Sequence, residues 1–321
     1  MIPPRFSVII ALYNAEFYII NCIKGLLEQS LQDWELLLID DGSTDGTARI
    51  CDELAKKDVR IRVFHEQHQG VSHARQVGIN NVRGEYTIHV DVDDAVSPTM
   101  LDEMYQAAKN TNADMLICDY TELNGDGSIY HSQKPSDLTK ENVANGLIEG
   151  KLYGALWNKL IRTVVFRDNQ IRFHKELKMR EDMFFLLDVL PYVERIAYLP
   201  KAFYTYNRTN NRDSLSNTYL REDRNYFEQE ILWHIKALSN SLISHKQRSR
   251  LRNSLLNDAY ITLKGDIYTK EGWNNVFAPF QQEILSADKS YKSFLVNWAL
   301  NGHYLSASVL RRVLAFLGKK K

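Results

Sequence analysis

Cysteine is scarce in these 321 residues: Cys22, Cys51 and Cys118 stand far apart and are odd in number. That excludes a disulfide framework and a Cys-x-x-Cys metal site, and it fits a reducing cytoplasm. No run approaches the roughly 18–20 uninterrupted apolar residues of a membrane-crossing helix, so no such span is expected. Met1-Ile2-Pro3-Pro4-Arg5 offers no charged-then-apolar leader, because Phe6–Leu12 already reads as a strand. Neither Gly-x-x-x-x-Gly-Lys-Ser/Thr nor Gly-x-Gly-x-x-Gly occurs, which removes a P-loop ATPase and a dinucleotide-binding Rossmann unit. Internal repeats and low-complexity linkers are absent as well.

What remains is a core-forming composition, 44% hydrophobic and 11% aromatic, which excludes a disordered chain and suits one large domain or two ordinary ones. The formal net charge is zero, yet it is unevenly spread. Residues 1–120 carry 10 basic and 19 acidic side chains, a net of −9, and residues 121–321 carry 30 and 21, a net of +9. An acidic half can be a plain solvated surface. Here several of the carboxylates stand at the ends of apolar strands.

Over the first 120 residues, short apolar runs alternate with amphipathic ones. Phe6–Leu12, Trp34–Ile39, Ile61–His65, Tyr86–Val90 and Ala113–Cys118 read as strands, with helices between them at Ala15–Gln29, Thr44–Lys57, Val71–Val82 and after Pro98. That alternation predicts an α/β fold whose mostly parallel sheet is flanked by helices. Asn124-Gly125-Asp126-Gly127-Ser128 reads as a hairpin turn, and from about Leu220 the pattern is helical, with net charge +7 over 221–321. The boundary is expected near residue 218. Ligands of open α/β sheets sit beyond the carboxyl ends of the strands. Tyr13-Asn14, Asp40-Asp41 and Asp91-Val92-Asp93-Asp94 occupy three such ends and should meet at one crevice.

Six segments, in order and at matching spacings, resemble family 2 glycosyltransferases: Phe6–Asn14 (FSVIIALYN), Trp34–Thr47 (WELLLIDDGSTDGT), Gly70–Ile79 (GVSHARQVGI), Gly84–Asp94 (GEYTIHVDVDD), Trp157–Leu160 (WNKL) and Glu181–Phe184 (EDMF). The resemblance covers roughly residues 5–218. It implies a GT-A domain over 1–218, with a nucleotide-binding half (1–120) and an acceptor half (121–218), followed by a helical region over 219–321. It also implies a nucleotide-sugar donor, a divalent metal and inversion at the anomeric carbon. The expected enzyme is a hexosyl or N-acetylhexosaminyl transferase, moving sugar from a UDP-sugar to a glycan or lipid-linked acceptor in cell-surface polysaccharide synthesis. No nucleic-acid partner is expected.

Carried over residue by residue, the resemblance gives Asp93 as the direct ligand of Mn²⁺ or Mg²⁺. Asp91 becomes a contact to ribose or to a metal-bound water, and Asp94 an assistant. Carboxylate oxygens suit such hard cations, which neutralise the leaving diphosphate. Asp41 would accept the uracil N3–H and Tyr13 would stack on the base, although Asp40 and Asp41 also suit helix capping. Arg75 would face the diphosphate, or simply lie on a helix surface. Asp182 matches the general base, with Glu181 its rival, because adjacent helical positions point about 100° apart. Trp157, Asn158 and Lys159 would lie near donor sugar or acceptor, the alternative being Trp157 as packing and Lys159 as a surface residue. Tyr206 and Arg208 fall where the family often has an aromatic-Arg element, and His68 and His73 read as polar surface.

Two other classes compete. Phosphohydrolases with a strand-end Asp-x-Asp need it after their first strand, whereas here it follows the fourth. A non-catalytic nucleotide-sugar-binding protein has little use for Asp182. At the end of the chain, Leu305, Val309, Leu310, Val313, Leu314 and Leu317 share a helical stripe near Arg311, Arg312 and Lys319–Lys321. Such a stripe suits packing on its own domain or peripheral contact with an anionic inner membrane face.

Overall fold

The computed structural model describes residues 3–125, 127–209, 224–263, 268–287 and 290–318. The chain divides into two compact units, Met1–Arg212 and Asp213–Lys321. The boundary expected near residue 218 lies among residues 210–223, outside the described ones.

The first unit is built on a nine-stranded sheet. Its strands are β1 (Phe6–Leu12), β2 (Trp34–Asp40), β3 (Ile61–His65), β4 (Tyr86–His89), β5 (Ala95–Val96), β6 (Met115–Asn124), β7 (Gly127–His131), β8 (Lys159–Arg162) and β9 (Ile196–Asn207). The order is β3-β2-β1-β4-β8-β6-β9-β5, with β7 hairpinned onto β6. The run β3-β2-β1-β4 is parallel, as expected of strands joined by helices: α1 (Ile19–Leu27), α2 (Thr47–Lys57) and α3 (Val71–Asn81). Beyond it, β8 runs antiparallel to both β4 and β6, and β9 returns parallel to β6. The remaining helices of this unit are α4 (Met100–Thr111), α5 (Lys140–Ile148), α6 (Thr163–Asp168) and α7 (Glu181–Val189).

Apolar residues fill both faces of the central strands, and Val8, Ile9, Ile10, Leu36, Leu37 and Leu38 are all fully buried. Each such side chain contributes about 1.5–3 kcal/mol. One buried carboxylate among these strands is fully partnered. Glu35 of β2 accepts from the Ser7 hydroxyl (2.6 Å), the Arg83 amide (2.6 Å) and the Arg62 guanidinium (2.8 Å). Gly84 passes so close that a Cβ there would stand 2.4 Å from the Ser7 nitrogen. Register sets the site edge: Leu12 lies opposite Asp40 and Ile9 opposite His89, so Tyr13, Asp41 and Asp91 leave the sheet together.

The second unit is helical: α8 (Arg224–Ser239), α9 (His245–Thr262), α10 (Lys270–Phe277), α11 (Gln281–Leu285), α12 (Tyr291–Trp298) and α13 (Tyr304–Gly318). Ser244 and Thr269 cap α9 and α10 by accepting from the Gln247 and Gly272 amides. Trp273 is fully buried, and its indole N–H donates to the Ala259 carbonyl and the Thr262 hydroxyl. On α13 the inward residues are Tyr304, Ala307 and Ser308, whereas Leu305, Val309, Leu310, Val313 and Leu314 are exposed. Packing of the terminal stripe on its own unit is therefore not what the structure shows for these five residues. Among the described residues no helix is long and apolar enough to cross a membrane.

Candidate functional site

The loops after β1 and β2 interlock. Asn14, held at φ 49°, accepts from the Thr44 amide (2.8 Å) and donates its own amide to the Ser43 hydroxyl (3.0 Å). The Ala15 amide donates to Thr47 Oγ1 (2.7 Å), and the Gly46 amide donates to Glu16 Oε2 (2.7 Å). The segment Gly42–Thr47, turn-rich by composition, thus positions the first strand end against the second.

Asp40 and Asp41 point to different tasks. Asp40 accepts from the Ser43 amide (3.0 Å) and pairs with His65 Nδ1 (3.0 Å), which raises the His65 pKa. Asp41 is almost fully buried and accepts from the Gln69 amide (3.0 Å) and the Gly70 amide (2.8 Å), the two residues that lead into α3. Its Oδ2 also lies 2.8 Å from His68 Nδ1. The His68 ring stacks on Tyr13 at 4.1 Å between centroids, while Tyr13 stays half exposed. His68, read from sequence as a polar surface residue, is therefore part of this group.

Five residues past Gly70, α3 turns Arg75 inward. Arg75 is buried, so the surface-helix reading of this arginine does not hold. It donates to Asp91 Oδ1 (3.2 Å) and to Glu181 Oε1 at the start of α7. Burial alone would lower the Arg75 pKa, but the charges of Glu181, Asp91 and Asp182 more than offset this and raise it. One guanidinium thus ties the end of β4 to the beginning of α7.

The three acids after β4 separate in the same way. Asp94 is buried, accepting from the Tyr204 hydroxyl (2.6 Å) and the Asn207 amide (2.8 Å) of β9. Burial, then the Asp91 and Asp93 charges, push its pKa up to about 8. Asp91 and Asp93 stay half-buried.

On α7, Glu181 faces Arg75, and Asp182 points elsewhere, accepting from the Met183 amide at 2.7 Å. Desolvation, then the charge of Glu181, push Asp182 up to about 7. Trp157, Asn158 and Lys159 are buried. Trp157 stacks on Tyr204 at 4.3 Å, and the Asn158 amide donates to the Cys118 carbonyl (2.9 Å). Lys159 Nζ donates to the Tyr153 and Ala155 carbonyls and to Asn158 Oδ1, at 2.6–2.9 Å, and burial lowers its pKa to about 7. Tyr206 packs near Trp157, and Arg208 lies 3.5 Å from Glu122. The structure so gathers Arg75, Asp91, Glu181 and Asp182 into one charged cluster, with Tyr13, His68 and Asp41 at the N-terminal end of the same helix α3. Tyr204, which sequence reasoning passed over, joins Asp94 to β9 across 110 residues, and no local signal announces it.

Among the described residues no group of three or more His, Cys, Asp or Glu is placed to hold a metal ion.

Known proteins resemble this chain in sequence and in fold. EpsH of Bacillus subtilis is 30% identical over 276 residues, 84% of this chain and 78% of EpsH. The poly(ribitol-phosphate) beta-N-acetylglucosaminyltransferase TarS of Staphylococcus aureus is 25% identical over 292 residues, 87% of this chain but 50% of TarS. The solved structure of TarS residues 1–349 in complex with UDP-GlcNAc superposes with a TM-score of 0.69 at 22% identity, covering 97% of this chain and 91% of that one. The mannosyltransferase PcManGT from Pyrobaculum calidifontis, in complex with GDP-Man and Mn²⁺, superposes at 0.54 with 14% identity, covering 98% and 85%. These likenesses establish a GT-A-like fold with a helical C-terminal region. Residues 7–170 match the profile described as glycosyl transferase family 2. With half of its length under that profile and EpsH related along most of both chains, this chain belongs to glycosyltransferase family 2 and moves sugar from a nucleotide-sugar donor.

Proposed function

We propose that the protein transfers a hexosyl or N-acetylhexosaminyl group from a UDP-sugar to a glycan or lipid-linked acceptor, with inversion, in the synthesis of a cell-surface polysaccharide. The observation that carries the reading is the double engagement of Arg75 with Asp91 and Glu181, which sets a donor-side carboxylate and the α7 carboxylates around one buried cation. UDP-GlcNAc in the TarS structure supports the choice of donor class.

The residues fit a divalent ion. A hard cation of the Mg²⁺ kind takes one or two carboxylates and completes its shell with phosphate oxygens and water. Asp93 and Asp91 would offer such oxygens, Asp91 Oδ1 being already engaged by Arg75 (3.2 Å), while both Asp94 oxygens are used by β9. When bound, Mn²⁺ or Mg²⁺ neutralises charge on the departing diphosphate. Tyr13 supplies the surface on which uracil stacks, and Asp41 the acceptor for its N3–H. Asp182 takes the proton of the attacking acceptor hydroxyl, and a carboxylate whose pKa is pushed up to about 7 suits that work. Trp157, Asn158 and Lys159 shape the wall of the sugar pocket from behind. Residues 1–120 serve the nucleotide, 121–218 the acceptor and 219–321 form a separate helical region. Three buried free thiols fit a reducing, cytoplasmic setting.

A screen of UDP- and GDP-sugars, with and without EDTA, tests this by measuring released nucleotide. Release of UDP that stops with EDTA is expected. Binding of a nucleotide-sugar without any turnover would instead favour a non-catalytic binder.

A further inference from the structure

Scattered exposed leucines and valines are ordinary on any protein surface, but a contiguous apolar stripe is not. On α13 the exposures are Leu305 70%, Val309 61%, Leu310 38%, Val313 47% and Leu314 38%. At 100° per residue these five fall within half of the helix circumference, and Tyr304, Ala307 and Ser308 fall in the other half, against the core. Arg312 stands at the border of the apolar half. Arg311 is anchored, its Nε donating to the Tyr260 carbonyl (2.8 Å). Apart from Ser306, which is exposed within the same half, the side of the helix that faces water is aliphatic.

Charge selects the occupant of this face. Residues 290–321 contain Lys292, Arg311, Arg312, Lys319, Lys320 and Lys321 and no aspartate or glutamate. A second copy of the same segment would bring cations to cations, with no carboxylate of its own to answer them. An anionic lipid leaflet answers both features: its acyl boundary takes the aliphatic side chains, and its headgroups suit the excess of basic residues in this segment. Those residues are Arg312 at the border of the face and the lysines that follow it in sequence, whereas Lys292 and Arg311 already donate to Asn257 and Tyr260. Fifteen residues are too few to cross a bilayer and enough to lie in its interface.

We propose that the outward face of α13 is a peripheral docking surface for an anionic lipid leaflet. It stands on observations separate from the donor and base assignments.

Flotation of the full chain with phosphatidylcholine vesicles, and with vesicles also containing phosphatidylglycerol, tests it. Binding to the anionic vesicles, weakened by added salt, is expected. The double variant Val309→Glu/Val313→Glu should lose at least tenfold of that binding. Both positions are exposed, so circular dichroism and UDP binding should match the parent and show the chain still folded. Equal vesicle binding by parent and variant would overturn the proposal, as would equal binding to neutral and anionic vesicles. So would a parent dimer in light scattering that the double variant converts to monomer while neither binds vesicles.

Discussion

The Tyr204 hydroxyl donates to Asp94 at 2.6 Å and accepts from the Asp91 amide at 3.0 Å. One phenol on β9 therefore turns Asp94 away from the crevice and fixes the backbone from which Asp91 projects. Three consecutive-looking acids become two half-buried carboxylates and one buried one.

That division predicts different outcomes for metal-dependent binding. Calorimetry of UDP with Mn²⁺ should show Asp93→Asn losing the metal-dependent part of its affinity, and Asp91→Asn losing less of it. Identical affinity of the parent with metal and with EDTA would end the metal role assigned to both.

Asp182→Asn keeps size and removes proton acceptance. Turnover should fall by roughly 10²–10⁴ with UDP affinity nearly unchanged. Glu181→Gln has a different signature from the near-silence that helix geometry alone would give it. It strips charge from the buried Arg75 pair and should lower stability by about 1–3 kcal/mol, read as a shifted urea midpoint. Full transfer activity in the Asp182 variant would move the base elsewhere.

Activity should follow the Asp182 carboxyl. A base works deprotonated, so kcat/KM should rise with pH and level off above about 7. Its contribution to stability runs the other way. The folded state favours the protonated acid, so the contribution is full below about pH 4 and lost as pH climbs through about 7. A pH–rate profile of the parent lacking this limb would contradict the assignment.

Asp41 should show a mixed phenotype. On the proposed role, removing its carboxylate leaves the uracil N3–H unpaired; it also releases the Gln69 and Gly70 amides at the head of α3. Asp41→Ala should weaken UDP binding by about 1–3 kcal/mol and lower thermal stability as well. Tighter binding of GDP than UDP by the parent would refute the uracil preference.

Much of the first unit was legible because its signals are local. Continuous apolar runs announced β1, β2 and β4, and strand ends announced their acids. What escaped depends on how the fold turns a side chain and what it brings near. Lysine is ordinarily a surface residue; the Tyr153 and Ala155 carbonyls and the Asn158 amide oxygen that enclose the Lys159 ammonium are close in sequence, yet only the folded loop turns the side chain inward onto them. His68 became intelligible only when Tyr13 and Asp41 were brought around it. For α13 the periodicity was plain, but periodicity says which residues share a face and not which side meets water.

The parallel pairing of β9 with β6 governs how the chain can be assembled. Cys118 lies opposite Leu199 and Tyr120 opposite Tyr204, so partners about 80 residues apart complete the sheet. During synthesis, the ribosome must release β9 before Asp94 meets Tyr204 and Asn207. A fragment ending at residue 120 would carry every donor-side acid yet leave β6 without β8 or β9 beside it. Such non-local closure is slow. The proposed nucleotide half is thus part of one folding unit, and expressing it alone should give an open-edged, aggregation-prone chain.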